Sequence, residues 1–77
     1  MNKEEFVEQW YRNKFGYVGA VKVSIRDLGF IIANRYKLVE DIVKFFNYDY
    51  YYEDFTAVGE FKLADISDVS LGNEVWE

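Results

Sequence analysis

Residues 34–47, NRYKLVEDIVKFFN, decide how the rest of the chain is assembled. Leu38, Val39, Ile42, Val43 and Phe46 recur at i, i+1, i+4, i+5 and i+8, the apolar stripe of an amphipathic helix. Asn34 stands where an N-cap belongs, and Asn47 where a left-handed C-cap belongs. The spacing predicts a helix over this stretch.

Towards the N-terminus, Asn2 followed by Glu5 reads as a capping box. Phe6, Val7, Trp10, Tyr11 and Phe15 follow at helical spacing, and Gly16 is a natural stop, so a first helix is predicted over 3–14. From Tyr17 the period changes to two. Tyr17, Gly19, Val21, Val23 and Ile25 point one way, with Val18, Ala20, Lys22 and Ser24 opposite. Arg26-Asp27-Leu28-Gly29 is a turn, and Phe30–Ala33 returns as the second strand of a hairpin.

Towards the C-terminus, Tyr48–Tyr52 has strand propensity. Gly59 marks a bulge or a turn. Phe61 and Leu63 alternate with Lys62 and Ala64, and Asp65–Asp68 reads as a turn or a register break. Val69, Leu71, Val75 and Trp76 suggest a last pair of short strands about Gly72-Asn73. The expected fold is α+β: a single domain over 1–77, with two helices packed on one face of a mostly antiparallel sheet of about four strands.

A 77-residue chain has a thin core, because domains of this size bury only ~60% of their unfolded surface. It has no Cys for a disulfide or thiolate metal site, and no His for general base or metal-ligand duty. The rings of 7 Phe, 7 Tyr and 2 Trp are the substitute staple. Ser–His and Cys–His catalysis are excluded. The aliphatic hydroxyls Ser24, Ser67, Ser70 and Thr56 lie in no nucleophile-elbow or P-loop context. Glu53 with Asp54, and Asp65 with Asp68, are carboxylate pairs, but acid–base work needs a pocket that raises one pKa. Asp65-Ile66-Ser67-Asp68 lacks the glycine and the terminal glutamate of a calcium loop. Gly16 and Gly19 form no phosphate cradle. The expectation is a non-enzyme without metal or cofactor. No run approaches a membrane span, and MNKEEFVEQW has no signal-type apolar core. With no cysteine, a cytoplasmic location is expected.

Seven of the eleven residues from Phe45 to Phe55 are aromatic, and the other four are Asn47, Asp49, Glu53 and Asp54. A domain this small has no room to bury them all, and rings left exposed are enriched at interfaces. Charge is uneven. Residues 1–44 hold eight bases and six acids; residues 45–77 hold eight acids and one base, Lys62. Carboxylates among rings repel phosphates, so direct nucleic-acid binding is not expected. Asp49, Tyr50, Tyr52, Glu53, Asp54, Asp65 and Asp68 are the candidate contact residues.

In its stand-alone length, its acidic stretch from Asp49 to Glu77 and its tyrosines Tyr48–Tyr52, the chain resembles in type the small acidic proteins that phages and other mobile elements encode against host defences. These include anti-CRISPR and anti-restriction proteins that are similar to nucleic acid in charge. The resemblance implies a binding protein that inhibits a nucleic-acid-handling protein by occupying its basic surface, in the cytoplasm of a bacterial host. The competing expectation is a regulatory interaction domain whose aromatic run forms a homodimer seam or docks a partner chain.

Overall fold

The computed structural model describes residues 1–14 and 19–72. The chain runs α1 (Lys3–Asn13), β1 (Val21–Ile25), β2 (Gly29–Ala33), β3 (Arg35–Val39), β4 (Ile42–Asp49), β5 (Asp54–Lys62), a 3-10 turn (Leu63–Asp65) and β6 (Ile66–Leu71). The strands form two three-stranded antiparallel sheets, ordered β2-β1-β6 and β3-β4-β5. The expected two helices on a sheet of about four strands are therefore overturned. Among the described residues there is one helix with six strands, and the protein is mostly β.

The correction falls on residues 34–47, which form β3, a tight turn at Glu40-Asp41 and most of β4. A helical stripe and a two-residue hairpin share the same spacing. The hairpin pairs Leu38 with Val43 and Val39 with Ile42. Leu38 and Val43 turn to the core with Tyr36 and Phe45, while Val39 is 46% exposed. A helix would put Leu38, Val39, Ile42 and Val43 all on one face. The β-branched and aromatic content of the stretch favours the pleated answer, and a second sheet gives both strands something to pack on.

Asn34 is no helix cap. It is the single residue between β2 and β3, where the chain crosses from one sheet to the other, a bend that makes a sandwich corner. It is buried, and its side chain pins the corner to β4. Nδ2 donates to the Tyr48 carbonyl at 3.1 Å, and Oδ1 accepts from the Tyr48 N–H at 2.7 Å. Asn47, expected as a C-cap, lies within β4 and donates to the Ile32 carbonyl.

α1 forms where its capping box predicts. The Glu5 N–H donates to Asn2 Oδ1 at 2.8 Å, and the Asn2 N–H donates to Glu5 Oε1 at 3.2 Å. The helix joins the two sheets. Phe6 and Trp10 pack on Tyr36 and Phe45 of the second sheet, with ring centroids 4.8–6.1 Å apart. Asn13 Nδ2 donates to the Val69 carbonyl, and Gln9 Oε1 accepts from the Val69 N–H, which covers the outer edge of β6. The core is shared by all three layers: Phe6, Trp10, Val21, Val23, Ile25, Ala33, Val43, Phe45, Leu63, Ile66 and Val69.

The alternation of Val21, Val23 and Ile25 is observed in β1, and β2 returns antiparallel through a turn at residues 26–28. Gly29 has a φ of 117°, open to glycine but strained for other residues. The helix stop at Gly16, with Phe15 before it and the strand start at Tyr17 and Val18 after it, lies outside the described residues, as does the end of the chain with Asn73, Val75 and Trp76. Tyr48–Tyr52 is only partly strand, since β4 ends at Asp49 and residues 50–53 are a turn. Near Gly59 the β4–β5 register shifts, from Phe45 opposite Gly59 to Phe46 opposite Ala57. Asp65 ends the 3-10 turn, and β6 starts at Ile66.

Candidate functional site: the β4–β5 tip

The aromatic run divides three ways. Phe45 enters the core. Phe46, Tyr48 and Phe55 lie on the outer face of the β3-β4-β5 sheet, in ring contact at 4.7 Å for Tyr48–Phe55 and 6.4 Å for Phe46–Phe55. Tyr51 and Tyr52 form the tip of the hairpin, 82% and 75% exposed, with ring centroids 4.9 Å apart.

Asp49 builds that tip. Its Oδ1 accepts from the Tyr51 N–H at 2.8 Å and the Tyr52 N–H at 3.2 Å, an aspartate-capped turn. Glu53 closes the turn in the left-handed region, with φ 51°. Asp54 Oδ1 accepts from the Phe55 N–H at 2.8 Å. Tyr50 folds back from the tip, its ring edge-on to Tyr48 at 4.7 Å and its hydroxyl accepting from the Arg35 guanidinium. Arg35 stands over both the Tyr48 and Tyr50 rings. Burial, and then the positive charge of Arg35, lower the pKa of Lys14.

Of the predicted contact residues, Asp49, Tyr50, Tyr52, Glu53 and Asp54 come together at this tip. Asp65 and Asp68 do not join them. Asp65 is half-buried in the 3-10 turn, where its carbonyl accepts from the Arg26 N–H at the far end of β1. Asp68 is exposed on β6 in the other sheet, opposite Ser24. Their nearness in sequence is undone by the chain's passage from one sheet to the other.

Tyr51, the most exposed ring of the tip, was not among the predicted contact residues. Tyr51 belongs to a turn, where strand alternation no longer applies. The available signal was Asp49, a residue that caps turns by bonding the N–H groups two and three positions on.

Beneath the tip a cleft of about 530 Å³ is lined by Ala20, Ile32, Asn34, Asn47, Tyr48, Asp49, Tyr50 and Thr56. Among the described lining residues Asp49 is the one carboxylate, and that group already holds two backbone N–H groups. Among the described residues, no three acidic, His or Cys side chains converge on a metal position, and no helix is long and apolar enough to cross a membrane. Comparison of the chain with protein-family models, curated proteins and solved structures finds no match.

Proposed function

We propose that this chain is a non-enzymatic binding protein that grips a partner protein with the β4–β5 tip. The partner is a nucleic-acid-handling protein, and the carboxylates of the tip occupy its basic surface. One observation carries this reading: Tyr51 and Tyr52 stand 82% and 75% exposed on a turn held by Asp49, beside the carboxylates of Glu53 and Asp54. Two exposed tyrosines on a fixed turn offer rigid contact area at small entropic cost. Carboxylates around them steer association towards a positive surface. The contact is the tip alone, because Asp65 and Asp68 lie elsewhere. On this reading the protein works in the cytoplasm of a bacterial host cell.

The test is capture of partners from a nuclease-treated bacterial lysate on immobilised protein, at low and high salt. A nucleic-acid-handling protein should be retained at low salt and lost from Tyr51→Ser/Tyr52→Ser. Glu53→Gln/Asp54→Asn should weaken its capture and reduce the salt sensitivity. Retention by all three proteins regardless of salt sinks the proposal.

A second reading rests on β5. Among the described residues it pairs only with β4, and Asp54–Ala57 are all exposed along it. An open edge of this kind is a template for pairing with a second copy. Sedimentation across a concentration series would show a dimer that Phe55→Glu dissociates; a monomer throughout removes this alternative.

A further inference from the structure

The sequence interleaves rings with carboxylates, but the strands separate them. Val43 and Phe45 are buried, so Lys44, Phe46 and Tyr48 point to the outer face of β4. Register brings Phe55 opposite Tyr48 and Ala57 opposite Phe46 on that face, whereas Asp49 opposes Asp54 and Asn47 opposes Thr56 on the other. The outer face then carries Lys37, Lys44 and Lys62, with Arg35, against the single carboxylate of Glu60. This is a positive surface on a chain of net charge −5.

We infer that the outer face of the β3-β4-β5 sheet binds single-stranded nucleic acid, with Lys37, Lys44 and Lys62 on phosphates and Phe46, Tyr48 and Phe55 stacking bases. This surface is distinct from the tip and goes beyond the reading given for it. Two features favour an anionic occupant. Lys37 and Lys44 are direct cross-strand partners, and of the two only Lys44 has a carboxylate opposite it, Glu60, so the face keeps a positive excess that an anion would offset. Arg35 over Tyr48 adds a further cation beside the rings. The rings favour bases over an acidic peptide. Phe55 is 59% exposed, and along β4 the face repeats every two residues, ~6.6 Å, so a lysine precedes two rings in register. A row of cations beside a row of rings is the arrangement that holds single strands without sequence preference.

Fluorescence anisotropy of a short labelled oligothymidylate tests this. Saturation is expected at about 1–100 µM protein, weakening roughly twenty-fold between about 50 and 200 mM salt for three phosphate contacts. Lys37→Gln/Lys44→Gln should cut that salt effect to about threefold. Phe55→Leu should weaken binding about tenfold with the salt dependence intact. Tyr51→Ser/Tyr52→Ser, which removes the tip, should leave oligonucleotide binding unchanged, so the two proposals fail separately. All variants change exposed positions, and circular dichroism confirms their fold. No binding in that range, or equal binding of the double lysine variant, overturns the inference. Equal affinity for polyglutamate assigns the face to an acidic protein and overturns it too. Equal affinity for the matching duplex overturns the stacking.

Discussion

Asn34 shows how much one polar side chain decides in a small protein. Its amide satisfies both the N–H and the carbonyl of Tyr48, and its own N–H donates to the Phe46 carbonyl at the point where the chain changes sheets. Asn34→Ala leaves two backbone groups without their partner, so a loss of about 2–3 kcal/mol is expected in urea unfolding. Asn34→Asp keeps the acceptor but sets a buried carboxylate oxygen against the Tyr48 carbonyl, so it should lose at least as much. Equal and small effects would show that the corner holds without its pin. Tyr36 supplies a second residue-scale test. Burial, and then Tyr11, raise its pKa above the ordinary 10.0. The folded state therefore keeps this proton longer than the unfolded chain. The stabilisation is complete below pH 10 and is lost as pH climbs through the folded-state value. Lys14, lowered from 10.5, acts in the opposite sense, its penalty easing as pH rises towards that value. The difference between the wild-type protein and Tyr36→Phe isolates the tyrosine. Thermal melts from about pH 8 to 11 should show an alkaline decline that is flatter in the variant, and identical slopes would dismiss the linkage.

At the level of elements, α1 was legible because its signals are local. The capping box, the i, i+4 pair Phe6 and Trp10 and the flanking polar residues lie within one short stretch. The β1–β2 hairpin was legible for the same reason, since period two and a glycine turn admit one reading. The 34–47 stretch was not. Its apolar spacing satisfies both a helix and a hairpin with a two-residue turn, and Glu40-Asp41 lacks the Gly or Asn that announces such a turn, although Glu40 takes the left-handed conformation (φ 56°) itself. α1 also does more than cover a face. Trp10 touches Phe6, Tyr36 and Phe45, so Trp10→Ala should cost about 3–5 kcal/mol. Chemical denaturation would register this as a protein largely unfolded in buffer; a loss under 1 kcal/mol, about what an ordinary substitution costs, would mean the sheets hold together without the helix.

Across the whole molecule, the core and the exposed tip are built from separate sets of aromatic residues. Phe6, Trp10 and Phe45 are buried, while Tyr51 and Tyr52 stand outside any strand. Tyr51→Ser/Tyr52→Ser should therefore shift stability by no more than about 0.5 kcal/mol per residue, as for other surface changes. A larger loss in the same urea assay would mark these rings as structural. Composition alone set the small core, the reliance on rings in place of disulfides, the exclusion of His and Cys chemistry, and a surplus of rings beyond what that core can hold. Those are properties of residue counts and of neighbours along the chain. Which rings face outward, which carboxylates stand beside them and which cations share their face were decided by tertiary structure. Strand alternation sends adjacent residues to opposite faces, register brings distant ones together, and the return to the first sheet through the 3-10 turn at Leu63–Asp65 carries Asp65 and Asp68 away from Asp49.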